Sequence, residues 1–136
     1  MSLPAWSGVP LVVDTSAWMR LGLHQTLPYW EILGKGDRLV CCPIAALEVF
    51  RTARDENHFK TLDKHLSALP QAPVTASVCD AALSASRELG GRRRIPIPDY
   101  LIAAAAAERG FGVLHADKHF DLLATVLEFE SVRLPE

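Results

Sequence analysis

Three short apolar runs, each followed by a segment with helical features, constrain the fold of this chain most strongly. They are PLVVD (residues 10–14), DRLVCC (residues 37–42) and GVLHAD (residues 112–117). Each run has the length of a buried strand rather than that of a helix. Strands that alternate with helices predict an α/β fold with a parallel core.

Helical spacing of apolar residues, together with proline and glycine end signals, predicts the remaining elements. The predicted helices span residues 15–23, 27–36, 43–54, 58–69, 77–90, 98–110 and 118–127. FESVRL (residues 129–134) is predicted as a final strand, and GGRRRIPIP (residues 90–98) as the one conspicuous loop.

The chain has the size and composition of one globular domain. Its 136 residues are 49% hydrophobic and 22% charged, without an internal repeat or linker, so we expect a single domain over residues 1–136. No apolar run approaches the ~20 residues that span a bilayer. The N-terminal segment lacks the basic and apolar regions of a signal peptide, so we expect a cytoplasmic protein.

Net charge and cysteine usage narrow the function classes. A net charge of −2 gives no global attraction to nucleic acid, so contact with RNA or DNA must be local or use metal ions. The three cysteines, two of them adjacent in a predicted buried strand, argue against a disulfide framework and for a reducing compartment. None belongs to a C-x-x-C pair, which disfavours a thiolate zinc site.

Carboxylates stand where apolar segments end or turn inward. Asp14 ends the first strand and Asp117 the third, and ligands of open parallel sheets bind outside these carboxyl ends. Glu48 shares a helical stripe with Ile44 and Leu47. Because that stripe is apolar, we expect it to face protein and to draw Glu48 toward the interior.

Two further acidic residues are candidates for the same crevice. Asp99 precedes the apolar segment YLIAAAAA and occupies a first helical turn, where the helix dipole favours an anion. Asp121 lies four residues after Asp117, on the same face if a helix has begun there.

Each carboxylate also has a purely structural interpretation. Asp14 alternatively caps the following helix, and Asp99 alternatively serves only as a first-turn residue. Glu48 alternatively pairs with a cation such as Arg51, and Asp121 is alternatively a solvated helix residue. These interpretations weaken together, because three of the four main candidates close or interrupt apolar runs at predicted crevice positions.

A group of carboxylates in one crevice predicts a divalent cation. Like charges raise one another's pKa, so the group cannot stay ionised unaided. Mg²⁺ or Mn²⁺ resolves this repulsion, because it takes oxygen ligands and keeps waters for a substrate phosphate. Thr15 or Ser16, directly after Asp14, adds a hydroxyl for a ligand, a bound water or the helix cap.

Four blocks, spread over residues 11–121, combine the candidate acids with apolar segments: VVDTSAW, PIAALEVFRTAR, IPDYLIAAAA and VLHADKHFD. In order and spacing they resemble the blocks of PIN-domain ribonucleases, and most closely those of the VapC toxins of toxin–antitoxin pairs. The resemblance implies a three-layer α/β/α sandwich around a mostly parallel five-stranded sheet. A short strand near APVTA (residues 72–76) would complete that sheet.

The resemblance also implies a metal-dependent endoribonuclease site. The family's four acidic metal-site positions correspond to Asp14, Glu48, Asp99 and Asp117, with Ser16 as the polar residue beside the first Asp and Asp121 as a frequent fifth acid. It implies hydrolysis by metal-activated water, leaving a 5′-phosphate and a 3′-hydroxyl. We expect Asp14, Asp99 and Asp117 to bind Mg²⁺ or Mn²⁺ directly; Glu48 binds through water or orients the nucleophile.

The implied partners are an RNA substrate, a cognate antitoxin whose C-terminal segment covers the active-site groove, and a second copy of the chain. Arg92, Arg93 and Arg94 either contact RNA phosphates or form a solvated loop. Arg51 either reaches the carboxylates or substrate, or pairs with Glu48. Exposed apolar residues on the first helices would suit either protein interface. These residues are Trp18, Leu21 and Leu23.

Two other function classes stay open at this point. A phospho-accepting receiver domain also places acids at parallel strand ends, with Lys118 as its lysine, but hydroxyls rather than a second acid follow Asp14. A binding module would inhibit translation or a partner without cutting. A zinc site at His115 and His119 is disfavoured, because His115 ends a strand and no third imidazole is predicted nearby.

Overall fold

A computed structural model describes residues 6–91 and 94–135 of the chain. Its strands are β1 (Leu11–Val13), β2 (Leu39–Val40), β3 (Gly112–His115) and β4 (Glu130–Arg133). Within the described residues these four strands form one sheet in the order β2-β1-β3-β4, and every neighbouring pair is parallel. The predicted parallel α/β core is therefore confirmed.

Seven α-helices accompany the sheet in the described ranges. They are α1 (Thr15–Trp18), α2 (Leu27–Lys35), α3 (Pro43–Phe50), α4 (Glu56–Ser67), α5 (Ala76–Leu89), α6 (Ile97–Glu108) and α7 (His119–Leu123). The first and last of these are shorter than the helices predicted over residues 15–23 and 118–127. A short 3-10 turn, His24–Thr26, leads into α2.

Alternate residues of the central strands face two separate hydrophobic cores, as expected for a sheet covered on both sides. Val12 and Val113 belong to the core shared with α5, α6 and α7. Leu11 and Leu114 belong to the core shared with α1 and α2. Helices on both faces of the sheet make the three-layer sandwich that the sequence predicts.

The fifth strand predicted over residues 72–76 is wrong. Gln71 forms an isolated parallel bridge with Cys41, whose backbone exchanges two hydrogen bonds of 2.8 Å with this segment. Pro73 then has no N–H with which to continue the pairing. The hydroxyl of Thr75 accepts a hydrogen bond from the first turn of α5, so the segment turns into a helix instead of extending the sheet.

The sequence argued against a disulfide framework and against a membrane-spanning segment, and the structure bears on both. The cysteines are free thiols, as predicted: Cys41 and Cys42 are buried and Cys79 is exposed. In the part of the chain that the structure describes, no helix has both the length and the apolar character needed to cross a membrane.

Gly112 opens β3 at a point where β1 and β4 approach closely. A Cβ atom at this position would lie 2.7 Å from the Leu11 side chain and 2.8 Å from the carbonyl oxygen of Glu130. The backbone oxygen cannot move without disturbing the β3–β4 pairing, so a side chain here forces the sheet apart.

We expect Gly112→Ala to lower the free energy of unfolding by about 1–3 kcal/mol, because the added methyl overpacks the sheet. Gly34→Ala is the matched control: it lies within α2, and a methyl group added there would meet nothing within 4 Å. Alanine at this control position should stabilise the protein by about 0.5–1 kcal/mol. Urea unfolding measures both changes. Equal stability of Gly112→Ala and the wild type would contradict the close approach.

Candidate metal centre

The parallel pairing of β1 with β3 brings two carboxylates to the same edge of the sheet. Val13 pairs with Leu114, and the backbone N–H of Asp14 donates to the Leu114 carbonyl at 2.9 Å. Asp14 follows β1 directly and Asp117 follows β3 after one intervening residue. The two acids predicted from strand ends therefore lie at the same edge of the sheet.

Asp99 is the buried centre of this group. It lies in the first turn of α6 and is only 8% exposed. Burial, followed by repulsion from Asp14, Asp117 and Glu48, raises the pKa of Asp99 to about 8. Repulsion from all three shows that the four acids named from the sequence share one locality.

Asp14 both caps a helix and belongs to the group of mutually repelling acids. Its Oδ2 accepts hydrogen bonds from the Ser16 N–H, at 2.9 Å, and from the Ser16 hydroxyl, so it caps α1. Burial raises the pKa of Asp14, the Ser16 hydrogen bonds oppose this, and the Glu48 charge adds to it. Both Ser16 bonds use Oδ2, so capping and metal binding can use different oxygens of this carboxylate.

The hydroxyl groups of Thr15 and Ser16, which follow Asp14, hydrogen-bond to neighbouring segments of the site. Ser16 Oγ accepts a hydrogen bond from the Ala116 N–H at 3.0 Å, which ties the loop after β1 to the loop after β3. Thr15 Oγ1 donates to Glu48 Oε1 at 2.8 Å and so holds the α3 carboxylate beside α1. Each hydroxyl therefore positions an acid of the group.

His119 is a member of the centre that the sequence interpretation considered only as part of a zinc site, which it disfavoured. Its Nδ1 lies 2.9 Å from Asp117 Oδ1 and 3.3 Å from Asp99 Oδ2. One ligand atom from each of these three residues lies within 4.8 Å of the others, and no other such group of acids, histidines or cysteines occurs in the described ranges. Its signal in the sequence was its position two residues after Asp117, inside the same turn.

His115 lies in the core with both ring nitrogens engaged. Nδ1 accepts from the Asp117 N–H at 3.1 Å, and Nε2 lies 2.6 Å from Ser131 Oγ. Burial is the main cause that lowers the pKa of His115 to about 4, so the ring is neutral. The Asp117 N–H occupies Nδ1, which places the ring proton on Nε2. His115 thus supports the backbone of Asp117.

Asp121 is directed toward β4 rather than toward the four acids. Its carboxylate accepts from Ser131 Oγ at 2.6 Å and from Arg133 Nη1 at 3.3 Å. These contacts extend the chain of hydrogen bonds that passes through His115 and Ser131 to Asp117. Asp121 is therefore connected to the centre indirectly.

The structure describes only some of the basic residues that the sequence singled out. Arg51 is exposed at the C-terminal end of α3. Arg92 and Arg93 lie outside the described residues, whereas Arg94 is exposed and lines a cavity of about 360 Å³ with Lys118, His119 and Leu122. A basic surface thus adjoins the histidine of the centre.

The residues present fit a divalent cation. Asp99 Oδ2 and His119 Nδ1 are buried and have no hydrogen-bond partner among the described residues. Buried polar atoms normally have a partner, and carboxylate oxygen and imidazole nitrogen are both metal-ligand atoms. Asp99 and Asp117 would hold the ion, and Asp14 and Glu48 add negative charge near it.

The fold is that of a PIN domain. The PIN domain family matches residues 11–126, and the chain belongs to this family. It is 39% identical to ribonuclease VapC51 of Mycobacterium tuberculosis over 117 residues, which cover 85% of each chain. It is 43% identical to ribonuclease VapC2 of the same species over 130 residues, which cover 90% of this chain and 91% of the relative.

Solved structures share the fold. VapBC-5 of Mycobacterium tuberculosis, a toxin–antitoxin system, superposes with a TM-score of 0.70 at 22% identity, covering 93% of this chain and 99% of that one. VapBC2 of Rickettsia felis, bound to a DNA fragment from its promoter, superposes with a TM-score of 0.72 at 18% identity, covering 91% and 99%. At these identities the likeness concerns the fold alone.

The raised pKa of Asp99 makes the metal-free protein less stable as pH rises. The folded carboxyl keeps its proton up to about pH 8, whereas the unfolded carboxyl releases it near 3.8, so the folded state binds more protons in between. Stability therefore falls from about pH 4 to pH 8. With a chelator present, we expect Asp99→Asn to match the wild type near pH 4 and to exceed it by about 1–3 kcal/mol at pH 8.5.

Urea unfolding at several pH values, with Asp80→Asn as a control on the exposed surface of α5, measures this difference. Adding Mg²⁺ or Mn²⁺ should stabilise the wild type and not Asp99→Asn. A stability difference that does not depend on pH would show that the pKa of Asp99 is not raised in the folded protein.

Proposed function

We propose that this chain is a metal-dependent endoribonuclease, with Mg²⁺ or Mn²⁺ as its ion, and that it is the toxin of a toxin–antitoxin pair. The observation that carries the proposal is the convergence of four acids on the carboxyl edge of the sheet, around the buried Asp99. Relatives at 39% and 43% identity are named ribonucleases, which supports RNA as the substrate.

The four acids have different roles in this proposal. Asp14, Asp99 and Asp117 hold the ion directly, and Glu48, oriented by Thr15, acts through water or positions the nucleophile. A bound Mg²⁺ or Mn²⁺ supplies positive charge that neutralises the scissile phosphate and lowers the pKa of a bound water. The low dielectric around Asp99 strengthens every charge interaction at the site.

Local positive charge compensates for a chain that is slightly acidic overall. Arg94 and Lys118 line the cavity next to His119, where they can contact RNA phosphates beside the scissile bond. Arg92 and Arg93 extend the same basic run, and their contact with RNA stays a prediction, as does that of Arg51.

An apolar groove offers a site for the antitoxin. The groove, about 600 Å³, is lined by residues of α1, α3 and α4 and by the turn after α1. Leu21, which lines it, is 50% exposed, and Leu23 in the same turn is 40% exposed; Trp18 is half-buried and stacks on Trp30 at 5.6 Å between ring centroids. Structural neighbours of the fold are VapBC toxin–antitoxin complexes, which supports such a partner.

A second exposed apolar face supports the proposed homodimer. Leu83 on α5 is 54% exposed and Ile97 at the start of α6 is 75% exposed. This face does not overlap the residues that line the antitoxin groove, so both partners can bind at once.

We also propose that residues 1–136 form one domain.

The family assignment favours the nuclease over the phospho-accepting receiver and the non-cleaving binding module. The receiver requires a second acid beside Asp14, and that position holds Thr15, which donates to Glu48. Cleavage of RNA by the purified protein distinguishes the nuclease from the non-cleaving binding module.

We expect purified protein to cleave RNA pools in Mg²⁺ or Mn²⁺ and to lose this activity in a chelator. Asp14→Asn and Asp99→Asn should each lower the cleavage rate at least about 100-fold, because each removes a charged metal ligand worth several kcal/mol. Denaturing gels with end-labelled RNA measure the rate, and circular dichroism verifies the fold.

Asp80→Asn, which removes an exposed acid on α5, should cleave like the wild type. If both active-site variants cut as fast as the wild type in either metal, the assigned site is wrong. If the wild type binds its partner and inhibits growth without hydrolysing RNA at any metal concentration, the binding module is the better description.

A further inference from the structure

Two buried polar atoms of the centre have no hydrogen-bond partner among the described residues: Asp99 Oδ2 and His119 Nδ1. Asp99 is more than nine-tenths buried, with an exposed fraction of 8%. A buried carboxylate oxygen and a buried imidazole nitrogen without partners are each costly. Finding both side by side indicates that a third group satisfies them together.

The spacing of these atoms is that of ligands around one ion. His119 Nδ1 lies 2.9 Å from Asp117 Oδ1 and 3.3 Å from Asp99 Oδ2. Atoms that bind one ion at 2.0–2.2 Å and at right angles are about 3 Å apart. A proton on Nδ1 forms no aligned hydrogen bond to either oxygen, so a simple ion pair leaves Asp99 Oδ2 and His119 Nδ1 without a hydrogen bond.

The local chain geometry holds the ring in this place. The backbone N–H of His119 donates to Asp117 Oδ1 at 3.0 Å, closing the turn between β3 and α7. The same oxygen then faces the imidazole. His119 is 28% exposed, so one side of the ring adjoins the cavity that Arg94 and Lys118 line.

The other histidine of this segment cannot take the role. Both nitrogens of His115 are engaged, one by the Asp117 N–H and the other by Ser131 Oγ. His115 holds the backbone of Asp117, whereas His119 presents its Nδ1 to the acids.

We propose that His119 Nδ1 is a ligand of the divalent cation at this centre, beside Asp99 and Asp117, and that this nitrogen makes the site prefer Mn²⁺ over Mg²⁺. The inference rests on the proposed metal-dependent function. Oxygen ligands and water suit Mg²⁺, whereas imidazole favours transition-metal ions. A site of three aspartates alone would show no such preference beyond that of carboxylates.

Pulsed electron paramagnetic resonance of the Mn²⁺-loaded protein tests this ligand directly, because it detects a nitrogen nucleus bound to the ion. We expect a ¹⁴N coupling in the wild type that is replaced by ¹⁵N coupling when the histidines are ¹⁵N-labelled. His119→Asp, which keeps a ligand but replaces nitrogen with oxygen, should bind Mn²⁺ without the coupling. His65→Asn, on the exposed surface of α4, should retain it.

Calorimetric titration with MnCl₂ and MgCl₂ gives the second readout. We expect the ratio of the Mg²⁺ to the Mn²⁺ dissociation constant to fall about 10-fold in His119→Asp, because the variant loses the nitrogen and gains an oxygen. The control His65→Asn should keep the wild-type ratio.

The outcomes separate this inference from the proposed function. Mn²⁺ that binds the wild type without nitrogen coupling, or a coupling that persists in His119→Asp, would overturn the role of His119 and leave the nuclease proposal standing. A wild-type protein that binds neither ion at millimolar concentration would overturn the metal-dependent function and the ligand together. Spectra of the ¹⁵N-labelled wild type decide the question of nitrogen ligation even if His119→Asp does not fold.

Discussion

Repulsion among carboxylates at the edge of a parallel sheet is the constraint on which this site depends. The pairing of β1 with β3 places Asp14 and Asp117 at the same edge of the sheet, and the first turn of α6 places the buried Asp99 near them. Burial first, and then repulsion from the other three acids, raises the pKa of Asp99 to about 8 in the metal-free protein. In the metal-free protein the fold holds these acids together against their mutual repulsion, and a doubly charged ion would offset that repulsion.

The surrounding hydrogen bonds keep these acids in place. Ser16 joins the loops after β1 and β3, and Thr15 holds Glu48 against α1. On the other side, His115 connects Asp117 to Ser131. Such supporting contacts orient the ligands and, through them, the ion, and they are part of the site as much as the acids are.

The sequence predicted the positions of Asp14 and Asp117 because strand ends are visible in the residue pattern. The apolar stripe that suggested Glu48 was wrong: Leu47 is 62% exposed, and α3 buries Ala45 and Val49 instead. Glu48 is held at the site by its hydrogen bond from Thr15, which the residue pattern does not show. The predicted fifth strand failed because Pro73 cannot continue the ladder and Thr75 caps a helix, two local features that outweighed the apolar residues Ala72 and Val74. The directions of two side chains could not be predicted from the sequence. Asp121 points toward β4, and His119 points back toward Asp117 because the chain closes a turn there. Residue spacing alone does not specify that turn.

The most direct measurement of the central claim is a carboxyl ¹³C NMR titration of the aspartates, with and without Mg²⁺. The account predicts that Asp99 titrates with a pKa of about 8 in the metal-free protein and well below that value when the ion is bound. An Asp99 that titrates near 3.8 in both conditions would show that Asp99 is neither buried nor repelled by neighbouring acids, and the metal-centred account of this chain would fail.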